Sequence, residues 1–96
     1  MIVKKHINDR RLILAICDTD LIGKIFKEKK LQLDLSSDFY NGDEISEFEL
    51  DSLVKKAYII NAVGKTSIGS LIKNKIISKE DVKYVKNIPY AQVMFA

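Results

Sequence analysis

The chain has 96 residues, 47% hydrophobic and 30% charged, with one Pro, one Cys and no Trp, which allows one domain and one core and no second lobe. Its apolar runs are a few residues long, so none spans a membrane, and Met1-Ile2-Val3-Lys4 lacks the apolar stretch of a secretory leader. A net charge of +3 conceals segregation: residues 1–33 carry eight basic and four acidic side chains, residues 34–52 seven acidic and no basic, and residues 53–96 eight basic and two acidic.

With Cys17 alone there is no internal disulfide and no cysteine cage for zinc, which points to a soluble protein of a reducing, cytoplasmic compartment with no metal and no cofactor. Basic flanks around an acidic middle give a dipolar surface, able to meet phosphate on one side and repel it on the other. Fourteen of the sixteen basic residues are Lys, a bias that an AT-rich genome also produces, so the Lys count by itself weighs little.

In chain order, residues 2–7 and 12–17 are aliphatic, β-branched runs around Asn8-Asp9-Arg10-Arg11, the pattern of a β-hairpin. Asp18 or Asp20 then caps a short helix over residues 21–26, with Leu21, Ile22, Ile25 and Phe26 on one face. Leu31-Gln32-Leu33-Asp34-Leu35 alternates as a third strand, and the turn from Ser36 to Gly42 tucks Phe39 and Tyr40 onto the core. Ser46-Glu47-Phe48-Glu49 is a capping box with Ile45 and Leu50 at staple spacing. The helix it opens continues through Leu50, Leu53, Val54, Ala57, Tyr58 and Asn61 to a Gly64 C-cap. A second helix over residues 65–75 carries Ile68, Leu71, Ile72 and Ile76 on one face. Ser78 to Asp81 is a turn. Residues 82–87 and 90–95 are two strand-like runs split at Ile88-Pro89, since proline cannot donate to a ladder. The fold class is α+β: one domain over residues 1–96, about five strands in a mixed or antiparallel sheet, and two main consecutive helices.

Gly64-Lys65-Thr66 imitates the end of a phosphate-binding loop, but position 59 is Ile59 where the loop needs glycine, so the segment reads as one helix end followed by a helix start. His6 is the only histidine and has no second ligand at metal spacing. Cys17 with His6 as base is the one nucleophilic pair available, against the plainer reading of Cys17 as a small buried hydrophobe. Asp18, Asp20 and the acids from Asp34 to Asp51 lack calcium-loop spacing, and helix capping explains Asp18 or Asp20 and Glu47 to Asp51 without chemistry. Polar residues stand where packing does not ask for them at four places: Asp18, Asn61, Asn87 and Gln92. The Asn61 and Gln92 amides can each instead satisfy a buried backbone group.

Several segments form an ordered set: Cys17-Asp18 after a hairpin, Leu21-Ile22-Gly23-Lys24 then Phe26, Phe39-Tyr40-Asn41-Gly42, residues 57–61 then Val63-Gly64, and Ile88-Pro89-Tyr90-Ala91-Gln92. Together they resemble an archaeal family of uncharacterised proteins, domain of unknown function family 424, over nearly the whole chain. Tyr90 departs from the histidine expected before Ala91-Gln92. The resemblance implies an archaeal cytosolic protein and supplies no activity.

Three function classes follow. The first is a non-catalytic accessory protein that binds RNA or ribosomal particles. Its phosphate contacts are Lys4, Lys5, Arg10, Arg11, Lys24, Lys27, Lys29 and Lys30, and its binding is salt-sensitive and nearly independent of sequence because aromatics are few. The second is a protein-interaction module or homodimer using the acidic segment or a sheet edge. The third is a small Cys-dependent enzyme built on Cys17 and His6.

Overall fold

Asp9 and Arg10 both adopt the left-handed conformation, at φ 52° and 65°, and join strand β1 (Ile2–Asn8) to β2 (Arg11–Cys17) in a two-residue turn. That is a type I′ turn, whose twist matches the strands it connects, and the N-terminal hairpin is as expected. The computed structural model describes residues 1–95. Thr19–Leu21 is a single 3-10 turn, followed by β3 (Ile25–Glu28) and β4 (Leu31–Asp34), an antiparallel arm separate from the main sheet. The short helix expected over residues 21–26 is therefore absent. Gly23 at φ +88° turns the chain, and its N–H donates to the Leu35 carbonyl while Leu35 N–H donates to that of Lys24, both at 2.8 Å, closing the arm's base.

A second 3-10 turn, Asp38–Tyr40, stacks Phe39 on the His6 ring with centroids 4.5 Å apart and puts Tyr40 against the core, as expected. Two residues, β5 (Asp43–Glu44), pair with the start of β1. Helix α1 (Glu47–Val54) opens with the full capping box: Ser46 Oγ accepts Glu49 N–H at 3.2 Å, and Glu49 Oε1 accepts Ser46 N–H at 3.4 Å.

Residues 57–61 do not prolong the helix; β6 (Ala57–Val63) is a central strand, parallel to β2. The two helices are thus not consecutive. The apolar stripe keeps helical period only to Ala57, and the β-branched Ile59, Ile60 and Val63 then alternate across a sheet. Gly64 correspondingly ends no helix. It sits between β6 and helix α2 (Lys65–Lys73) at φ +111°.

Strand β7 (Lys83–Val85) and β8 (Ile88–Met94) form another type I′ hairpin, with Lys86 and Asn87 at φ 51° and 64°. The break thus lies at Lys86-Asn87, not at Pro89, which lies inside β8. Its carbonyl takes Gly64 N–H at 2.8 Å, and the Gly64 carbonyl already serves Ile68 N–H in α2, so the donor that proline lacks has no acceptor there. The main sheet has six strands rather than about five, in the order β5-β1-β2-β6-β8-β7. Leu14, Ile16, Ile60 and Ala62 pack on one face against Leu50, Val54, Ile68 and Leu71 of the helices. Under the other face Cys17 and Val63 meet Leu21, Leu35 and Phe26 from the arm and its base.

Candidate functional site

Parallel strands β2 and β6 end side by side, and Asp18 N–H extends their ladder to the Val63 carbonyl at 3.0 Å. This places the Asp18 carboxylate, 7% exposed, on the first turn of α2. Oδ2 accepts Thr66 N–H at 3.0 Å, and Oδ1 accepts both Ser67 N–H and Ser67 Oγ–H at 2.7 Å. The sequence reading gave Asp18 to a helix three residues on; it caps one almost fifty residues on. A helix N-terminus is an anion site because its amides are unpaired and its dipole favours negative charge. Here the chain supplies that anion itself, so the amides after Gly64 are already occupied. A crevice of about 330 Å³ beside the cap is lined by Asp18, Asp20, Leu21, Lys65, Thr66 and Ile88.

Of the four unexplained polar residues, the fold brings two together. Asn61 and Gln92 are direct cross-strand partners on β6 and β8. Neither is buried: Asn61 is half-exposed and Gln92 exposed, so they do not serve hidden backbone groups. Asn87 lies apart, in the β7–β8 turn, where its left-handed backbone explains its identity.

The eight basic residues named from the sequence separate into two groups. Lys4 and Lys5 lie in β1, opposite Ala15 and Leu14, and Arg10 forms the β1–β2 turn. Arg11 begins β2 with its guanidinium 4.2 Å over the Tyr58 ring. Lys24 lies at the base of the arm, Lys27 on β3, and Lys29 and Lys30 at its tip. The arm follows the far end of β2, so Arg10 and Arg11 lie at one end of that strand and the arm's lysines at the other, with Lys4 and Lys5 alongside its middle. Sequence reasoning missed Lys83 and Lys86. Lys86 N–H donates to the Glu28 carboxylate at 3.3 Å, which holds the β7–β8 turn against the arm and adds two lysines to its charge. Nothing local in the sequence signals this, since the contact joins residues 58 apart.

The family profile described as "Protein of unknown function (DUF424)" matches residues 6–95. The chain belongs to this family. Its fold is similar to that of an uncharacterized conserved protein from Methanopyrus kandleri, with a TM-score of 0.80 and 22% identity over 96% of this chain and 88% of that one. No curated protein matches the chain. Among the described residues no helix is long and apolar enough to cross a membrane.

In this DUF424 protein Cys17 and His6 do not meet. Cys17 faces Ile2 and His6 faces Ile13, four steps along the same hairpin, or roughly 13 Å at strand rise. Cys17 is fully buried with its Sγ–H on the Asp18 carbonyl at 3.3 Å, and His6 Nε2 lies 2.9 Å from the Phe39 carbonyl. Burial, then the charges of Asp18 and Asp20, push the Cys17 thiol up to about 12. Tyr40 is also pushed up to about 12, by burial first and then by Cys17. Both groups stay protonated in the folded chain after they ionise in the unfolded one. The stability these two groups contribute is therefore full below about pH 9 and falls as pH rises from about 9 toward 12, by roughly 1 kcal/mol per pH unit for each group inside its window. Urea melts at pH 8, 10 and 11 check this, and Cys17→Ala should flatten the decline. A native thiol reacting fast with a disulfide reagent at pH 8 would contradict the burial.

Proposed function

We propose that this protein binds RNA, free or within a ribosomal particle, as a cytoplasmic accessory factor that performs no chemistry itself. One observation carries the reading: Lys24, Lys27, Lys29 and Lys30 on the projecting arm stand beside Lys83 and Lys86 of the β7 hairpin, while the acids of residues 43–51 lie on the opposite edge strand and α1. Glu28, the carboxylate on β3, is engaged by the Lys86 amide. Lysine ammonium groups bind phosphate as point charges without reading sequence, and each contact releases counterions. The arm is thus an electrostatic clamp, and Arg10 with Arg11 at the other end of β2 is a second point of contact.

Fluorescence anisotropy with RNA across a salt series tests this. Each phosphate contact adds about 0.7 to the log–log salt slope for a single strand, so Lys27→Glu/Lys29→Glu/Lys30→Glu should lower the slope by about 2 and the affinity at low salt more than tenfold. Its melting point should hold, since all three side chains are exposed. An unchanged slope would remove the arm from the interface.

A further inference from the structure

We infer that the sheet face turned away from α1 and α2 holds unpaired RNA bases, with the Asn61 and Gln92 amides on their edges. This rests on the RNA reading and names the strand type it takes. Residues 12, 14 and 16 of β2 and 60 and 62 of β6 point to the helices, so strand alternation turns Ile13, Ile59, Asn61, Gln92 and Met94 the other way. The arm and the Asp38–Tyr40 turn cover one half of that face, over Cys17, Val63 and His6. The other half is open.

Three features suit it to bases. An open antiparallel face ordinarily carries polar side chains, yet here Ile13 and Ile59 are only half-buried and Met94 is 64% exposed. Flat apolar surface of this kind can cover a base. Between these residues the two amides stand in register, and neither takes a protein hydrogen bond among the described residues. A carboxamide donates and accepts at once, which matches the mixed edge of a base. Last, the four central strands contain no acidic residue at all, while β1 and β2 turn Lys4 and Arg11 toward this face. This charge favours a polyanion. It disfavours a second copy of the chain, whose matching face would bring the same cations with no acid to meet them. A duplex would not present its bases here, because A-form base edges are paired and its major groove is too narrow for side chains. A single strand tethered by the arm would.

The experiment uses a short mixed-sequence RNA strand and its blunt duplex at low salt, read by anisotropy. The parent should prefer the strand by roughly tenfold. Gln92→Ala and Asn61→Ala/Gln92→Ala should each lower strand affinity, the double variant by roughly tenfold, with duplex binding unchanged. Gln92 is exposed, so the single variant remains informative even if the change at Asn61 disturbs folding. If both variants hold the strand as tightly as the parent while the triple arm variant loses it, the sheet inference fails and the RNA reading stands. If the parent binds neither RNA, both fail. A parent dimer that Gln92→Ala splits, and that excludes the strand, would also overturn the inference in favour of a second copy.

Discussion

Asp18→Ala should lower the unfolding free energy by about 3 to 5 kcal/mol. Three donors converge on this carboxylate, and hydrogen bonds to a charged group are each worth about 1.5 to 3 kcal/mol. The truncation also strips the first turn of α2 of its cap, a loss of about 1 kcal/mol in exposed helices. Ser67 is fully buried, so its N–H and hydroxyl lose their acceptor in a place water does not readily replace it. The donors share one acceptor group, so their separate values do not simply add. A domain of this size has roughly 5 to 15 kcal/mol in total, and the single substitution removes a large part of it. Asp18→Asn keeps the shape but presents an NH₂ group toward donors, so it should recover less than half of the loss. Urea midpoints at constant slope check both values. A midpoint within error of the parent would mean that α2 is held without its internal anion.

Gly64→Ala should be comparably severe, and for a linked reason. At φ +111° an L side chain is strained by about 1 to 3 kcal/mol. A Cβ at Gly64 would also overlap the Asp18 carboxylate itself, so the cap and the methyl group compete for one space. Together these should cost more than 3 kcal/mol. Because the second contribution acts through Asp18, the two substitutions cannot be additive. In an Asp18→Ala background, Gly64→Ala should cost only its backbone strain, leaving a coupling above about 1 kcal/mol in a double-mutant cycle. Additive losses would show that the carboxylate does not lie over Gly64.

Local chemistry made the first hairpin and the helix start legible. Asn8-Asp9 before an aliphatic run gave the first turn, and Ser46 with Glu49 gave the start of α1. Both depend on residues within a few positions of each other. The α+β class and the family were legible as well. β6 was not, because its first residues continue the helical spacing of Leu50, Leu53 and Val54, and its parallel partner β2 lies more than forty residues away. Asn61 held the missing clue. A polar side chain on the apolar stripe of a helix is anomalous, whereas on a strand it simply faces the open side. Asp18 was recognised as a cap, but its helix was out of reach of any local rule. The arm's lysines were visible as a run, while their neighbours Lys83 and Lys86 arrive only through the β7 hairpin.

The most direct test of the functional account is recovery of the tagged protein from the cells that express it, at low and at high salt, with the eluate split between nuclease-treated and untreated portions. Phosphate contact through lysines predicts nuclease-sensitive RNA in the low-salt eluate, absent at high salt and absent for Lys27→Glu/Lys29→Glu/Lys30→Glu. Protein free of RNA at low salt, accompanied instead by one defined protein partner that persists at high salt, would contradict it.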